Sequence, residues 1–177
     1  MQPDRRIAHA PGERLRLYQI AQDNEALRLA PVNVFGTSAS YTLTSGTTYV
    51  FHVLAVDSSG GGVSSYTAND LVTTMSFANI QAGVTHIAFS HFDEVLTAIN
   101  AIRLANGDGP TSWTTITTPV PAFNVVIYAA HMQALRTAMT SALANVSVTA
   151  PGYTDSLVPG VTPIKAQHII ELQQRAQ

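Results

Sequence analysis

Ile87-Ala-Phe-Ser-His91, Ile127-Tyr-Ala-Ala-His131 and Ile164-Lys-Ala-Gln-His168 are three copies of one pattern. Each has an isoleucine, a small or aromatic residue two positions on, and a histidine two positions after that. The histidines recur at intervals of 40 and 37 residues, a period that marks a chain built from repeated supersecondary units. Behind each histidine the apolar positions continue at helical spacing: Phe92, Val95 and Ile99; Met132, Leu135 and Met139; Ile169, Leu172 and Ala176. An aromatic residue precedes each helix, at Phe77, Trp113 and Tyr153, the last two followed by Thr114 and Thr154. Each unit therefore predicts an extended aromatic-bearing segment, a Gly/Pro loop and one amphipathic helix. A lone helix of this length cannot bury its stripe, so the units must pack on one another. The units are bounded at 77–112, 113–152 and 153–177, inside a helical repeat region spanning 76–177. Ser90 with Asp93 three positions later predicts a capping box for the first helix, and Asn106-Gly107 predicts its C-terminal cap.

Upstream of the repeats the period changes to two. Leu15-Arg-Leu-Tyr-Gln-Ile20 and Ala26-Leu-Arg-Leu29 alternate, with a turn signal at Asp23-Asn24 between them. Ser40-Tyr-Thr-Leu43 reads as a short strand closed by Ser45-Gly46. Residues 47–57 are the strongest strand: Tyr49, Phe51, Val53 and Ala55 share one face, Val50, His52, Leu54 and Val56 the other, so both faces are expected to be covered. The run 58–62 reads as a flexible turn, and residues 63–75 return as a further strand. Residues 1–14, polar and broken by Pro3, Pro11 and Gly12, predict a loose tail.

Leu43-Thr-Ser-Gly-Thr-Thr-Tyr49 followed by Val50-Phe-His-Val-Leu-Ala-Val-Asp57 resembles the segment leading into the penultimate strand of a fibronectin type III domain. The resemblance covers roughly residues 15–75. It places Tyr49 at that family's tyrosine corner, whose hydroxyl bonds back to upstream backbone. Ser45 stands where proline is common. A full sandwich of this type has about seven strands, and here only four or five fit. The first two strands, with their core tryptophan, have no counterpart, since the single tryptophan is Trp113. The expected architecture is thus α+β, a partial fibronectin III-like β-sandwich followed by a small helical repeat domain of three helix-bearing units. An uncovered inner face and an open strand edge would invite completion by upstream sequence or another chain. Residues 70–177 resemble the C-terminal repeat regions that follow fibronectin-like domains in large secreted bacterial proteins, which implies an extracellular or cell-surface location.

Composition narrows the function. Only 11% of the 177 residues are charged, Lys165 is the only lysine, and the net charge is −2, which supplies no footprint for nucleic acid. The absence of cysteine removes disulfides and thiolate chemistry. No apolar stretch is long enough to span a bilayer. Residues 1–16 carry Asp4, Arg5, Arg6, Glu13, Arg14 and Arg16 and do not read as a signal peptide, so an exported protein would need its signal upstream. No Gly-x-Ser-x-Gly, P-loop, dinucleotide or His-Glu-x-x-His pattern occurs.

Two features bear on chemistry. His91, His131 and His168 are metal-ligand types, yet each lies four residues after an isoleucine and four before an apolar residue, on the buried stripe of its helix. The favoured reading is structural: each imidazole bonds a backbone carbonyl of the next unit and fixes how units stack. Metal binding is the rival reading. His86 reads as a loop residue. Trp113 and Tyr153 would stack on sugars if exposed, but one large aromatic per unit more often plugs the gap between units. Asp93, Glu94 and Glu171 read as capping or solvated charges. Asp57-Ser58-Ser59 lacks the ligand spacing of a calcium loop, and Asn145-Val-Ser147 is a formal glycosylation acceptor.

The sequence thus predicts a non-catalytic structural or interaction module with no cofactor: a spacer, anchor, adhesion or self-assembly segment of an extracytoplasmic bacterial protein. Its expected partners are other domains or copies of the same protein. A carbohydrate or cell-wall binding module and a histidine-based metal protein are the alternatives.

Overall fold

The computed structural model describes residues 14–19, 32–34, 40, 42–56, 64–65, 67–117, 128–158 and 161–177. The expected tail before Arg14, the strand expected at 26–29, the 58–62 turn and Ile127 lie outside them. The order of elements is β1 (Arg14–Gln19), β2 (Val32–Val34), β3 (Thr48–Val56), β4 (Asp70–Thr73), α1 (Phe89–Ala105), α2 (Trp113–Ile116), α3 (Ala129–Asn145) and α4 (Ala166–Arg175). The molecule is mixed α and β.

The described strands form one antiparallel sheet in the order β2-β1-β3-β4. β1 pairs with β3 from Arg14 opposite Val56 to Gln19 opposite Phe51, and β3 pairs with β4 from Thr48 opposite Thr73 to Phe51 opposite Asp70. No second sheet is present among the described residues. Two strand expectations need correction. Ser40, Thr42 and Leu43 are not in a strand, while Val32–Val34, whose alternation is only three residues long and follows directly on Pro31, is. Among the described residues of the strand expected over 63–75, Asp70–Thr73 form one; further up, polar side chains take β3 amides, and Thr67 N–H to Val53 O at 2.9 Å is the backbone bond that remains. Ser64 Oγ accepts from Ala55 N–H at 3.0 Å and Thr67 Oγ1 from Val53 N–H at 2.9 Å.

The helices follow the stripe. All nine predicted stripe residues, from Phe92 to Ala176, are fully buried. Burying a side chain of the Val, Leu, Ile, Phe or Met type contributes roughly 1.5–3 kcal/mol, so the stripes dominate the stability of this half. They also explain why 10- and 17-residue helices persist here. α1, α3 and α4 each pack against the other two, closing a triangle rather than an open stack. They run in the same sense. The C-terminal ends of α1 and α3 meet where Asn145 Nδ2 donates to Asp108 Oδ2 at 2.9 Å, and the segments entering α1 and α4 line one cavity at the other end. Gln173 Nε2 on α4 reaches Ala78 O ahead of α1 at 3.4 Å, which ties the last unit back to the first.

Packing crosses the expected boundary at residue 75. Val50 and Leu71 belong to the same apolar cluster as the helices, α1 packs on β3, and Asn69 Nδ2 donates to Val146 O at 2.8 Å. The C-terminal ends of α1 and α3 therefore sit against the sheet.

The helix ends match the sequence in one case and overturn it in another. Asn106 is the C-cap of α1 and Gly107 takes the left-handed conformation (φ +82°). Asp108 N–H bonds Arg103 O and Gly107 N–H bonds Leu104 O, the paired bonds of a Schellman motif. α3 ends in the same bonds, from Val148 N–H to Leu143 O and Ser147 N–H to Ala144 O, but with Ser147 in the left-handed position (φ +57°). The capping box expected from Ser90 and Asp93 does not form. α1 begins two residues earlier than that pair implies, its N-cap is Ala88, and the third helical position is His91.

Candidate functional site

The repeated histidine is a helix-capping device. His91, His131 and His168 each occupy the third helical position, behind N-cap residues Ala88, Tyr128 and Lys165 in extended conformation. None of these three side chains can satisfy an N-terminal amide as Ser, Thr, Asp or Asn would. The backbone makes one closing bond in each copy: the histidine N–H donates to the N-cap carbonyl at 3.0–3.1 Å. The ring makes the other. Nδ1 accepts the N-cap N–H at 3.0 Å from Ala88, 3.0 Å from Tyr128 and 3.3 Å from Lys165. This is the return half of a capping box, with imidazole in place of the usual Glu or Gln.

The expectation that each histidine bonds a carbonyl of the next unit does not hold for Nδ1, which turns back to its own N-cap amide in all three copies. A ring at the third helical position curls back over its own first turn, and its nearest unpaired group is the N-cap amide of its own helix. A backbone N–H only donates, so Nδ1 carries the lone pair and the ring proton sits on Nε2. At His168, Nε2 lies 3.2 Å from Asp155 Oδ2, which also takes Lys165 Nζ at 2.7 Å. His131 and His168 are fully buried, and His91 is half-buried. Among the described residues no three His, Asp or Glu side chains converge in a way that could hold a metal ion.

Two of the three aromatic repeats, Trp113 and Tyr153, meet the helix of the unit before. Trp113, 8% exposed, begins the single turn α2, packs beside Phe89 and donates Nε1–H to Asp93 Oδ1 of α1 at 3.2 Å. Tyr153 packs under α3: the Arg136 guanidinium lies 4.2 Å and that of Arg175 3.8 Å from its ring centre, and its hydroxyl donates to Arg136 O at 3.3 Å. Burial raises the Tyr153 hydroxyl above its ordinary pKa. Phe77 is partly buried against the core. In the sheet, Tyr49 is buried, stacks on Phe51, and its hydroxyl accepts Thr44 N–H at 3.0 Å.

The residues that sequence reading missed lie between α3 and α4. Arg136 is 3% and Glu171 5% exposed, and Arg136 Nη2 meets Glu171 Oε2 at 3.2 Å. Arg136 Nη1 also donates to Asp155 O at 2.6 Å, and Thr154 N–H to Glu171 Oε1 at 3.4 Å. Glu171 is thus not a solvated charge. The equivalent Glu94 accepts Ala78 N–H at 3.0 Å, so in the first and third units this position holds the backbone just after the unit's own aromatic. The signal was present in the repeat itself. Arg136 aligns with Leu96 of the first unit, five residues after the histidine, and an apolar residue there marks the position as inward-facing.

Asp155 and Asp108 are held below the ordinary carboxylate range. Hydrogen bonding from Lys165 and then His168 does this for Asp155; hydrogen bonding from Asn145 and then Asn106 does it for Asp108. Both act as ties between segments.

The concave surfaces hold little chemistry. A groove of about 620 Å³ along α3 is lined mainly by Ala130, Ala134, Thr137, Ala138 and Ser141, with Arg103 at its edge. A second, of about 570 Å³, lies between residues 83–87 and 164–166, with His86 and Lys165 on its wall. Beside it the turns at Gly83-Val84-Thr85 and Val161-Thr162 repeat one another. Thr85 Oγ1 accepts Gln81 N–H and Thr162 Oγ1 accepts Val158 N–H, both at 2.9 Å, and each turn leaves its valine exposed. No helix among the described residues is long and apolar enough to cross a membrane. No protein family, curated protein or solved structure matches the chain.

Proposed function

We propose that this chain is a non-catalytic structural or interaction module of an extracytoplasmic bacterial protein, a spacer, anchor or adhesion segment. Its β half is a partial fibronectin III-like sandwich, able to self-associate or join a neighbouring domain by strand addition. The observation that carries this reading is where the chemically capable groups are used. The three imidazoles cap their own helices, Trp113 Nε1 bonds Asp93, Tyr153 lies against two guanidinium groups, and the Arg136 and Glu171 charges meet each other. Groups tied in this way hold units together and are not arranged for turnover. The Tyr49 hydroxyl bond to Thr44 N–H is of the kind a tyrosine corner makes, which favours the fibronectin III-like reading. The low charge and hydroxyl-rich surface suit an extracytoplasmic location.

The sugar-binding alternative needs open aromatic faces, and the burial of Trp113 and the guanidinium groups over Tyr153 weigh against it. Light scattering across a concentration series, combined with quenching of Trp113 fluorescence in the presence of polysaccharide, tests the proposal. Concentration-dependent association with unchanged Trp113 emission is expected. A monomer at every concentration whose Trp113 emission responds saturably to polysaccharide would replace the proposal with the sugar-binding one.

A further inference from the structure

The same acceptor bond occurs at the start of all three packed helices, and it depends on a nitrogen that can take up a proton. We propose that His91, His131 and His168 form a pH-sensitive latch, in which acidification frees the first turns of α1, α3 and α4 and loosens the closed triangle of helices. Each Nδ1 accepts a backbone N–H at 3.0–3.3 Å. A proton on Nδ1 turns the acceptor into a donor and sets two N–H groups against each other across that distance. The N-cap amide then loses its partner. At His131 and His168 the ring is fully buried, so a charge there also has to be held without contact with water.

Among the described contacts, the charged and titratable neighbours are these. On α1, Asp93 and Glu94 follow His91 and are held by Trp113 Nε1 and Ala78 N–H. Tyr128 lies 5.6 Å from the His131 ring, centre to centre. Against His168 stand Lys165 at its own N-cap and Asp155 from the preceding segment; Arg136 of α3 reaches both Asp155 O and the Glu171 carboxylate of α4. The Asp155 carboxylate favours a charged ring and opposes release at His168, so the three positions are best read separately.

Glutamine at the third helical position supplies an amide oxygen that accepts the same N-cap bond and does not titrate. Hydrogen exchange at the amides of Ala88, Tyr128 and Lys165, corrected for intrinsic rates, would be compared between about pH 8 and about pH 5.5 in the full chain and in His91→Gln, His131→Gln and His168→Gln. The expected result is a loss of protection of about tenfold or more at Ala88 and Tyr128 in the native chain and a smaller loss at Lys165, abolished at each substituted position while the others still respond. His86→Gln, outside the caps, should leave the response unchanged. Equal protection at both pH values in the native chain, or an undiminished acid response at a substituted cap, would overturn the proposal. Because each amide reports on its own helix, the single variants decide the matter even if a triple variant does not fold.

Discussion

Removing one member of the Arg136–Glu171 pair should be the most damaging single polar change in the helical half. The two charges are 3% and 5% exposed with 3.2 Å between them, so water cannot compensate for a missing partner. In Arg136→Leu the Glu171 carboxylate keeps only the long bond from Thr154 N–H, and the Tyr153 ring loses one of its guanidinium groups. In Glu171→Leu, Arg136 keeps Asp155 O and Tyr153 but has no counter-charge. Stranding one charge of a buried pair costs about 3–5 kcal/mol. For a chain of this size that corresponds to roughly 10 °C or more in melting temperature. The double variant Arg136→Leu/Glu171→Leu removes both charges and leaves two apolar side chains at an apolar interface, so it should return to within about 1–2 kcal/mol of the native chain or exceed it. Urea denaturation of the four proteins closes the cycle. Single variants within about 0.5 kcal/mol of native would refute the claim that this pair is buried and mutually dependent. A double variant as unstable as the sum of the singles would refute the coupling.

Ser147→Gly should stabilise the chain by about 0.5–1 kcal/mol in the same assay, because a left-handed residue with a side chain is replaced by the residue that Gly107 already provides at the equivalent cap. Tyr49→Phe should cost about 1 kcal/mol by leaving Thr44 N–H without its acceptor, with little change in the buried ring. Trp113→Phe should keep the packing beside Phe89 and lose the bond to Asp93, a cost of about 1–2 kcal/mol visible as a lower urea midpoint. Asp155 and Asp108 have depressed folded-state pKa values, so their contribution is full above the unfolded carboxylate value near 4 and disappears as pH falls through the folded values. In Asp155→Asn the stability lost on acidification below about pH 4 should be smaller than in the native chain, measured as melting temperature against pH.

The helical half was largely legible because a 3.6-residue period survives any reading: Phe92, Val95 and Ile99 and their counterparts all went to the core. Helix starts were less so. Ala88, Tyr128 and Lys165 carry none of the usual N-cap chemistry, and Ser90 with Asp93 offered a decoy two residues past the true N-cap. The repeated histidine was visible as a pattern, but its partner was not, since a backbone amide leaves no mark in sequence. Arg136 and Glu171 were hidden by the habit of placing charges outside. Only alignment of Arg136 with Leu96 shows that the position faces inward. In the sheet, residues 47–57 stood out through alternation. The stretch before Asp70 misled because the Ser64 and Thr67 hydroxyls take β3 amides that a backbone ladder would use, leaving Thr67 N–H to Val53 O as the backbone bond there.

Imidazole nitrogen NMR addresses the central claim most directly. At about pH 8, where free imidazole is neutral, long-range proton–nitrogen spectra should show His91, His131 and His168 all as the Nε2–H tautomer, each with an Nδ1 that accepts a hydrogen bond. Nδ1–H signals at these residues, or nitrogen shifts that move on adding one equivalent of zinc, would mean that the three rings do not close their own helices.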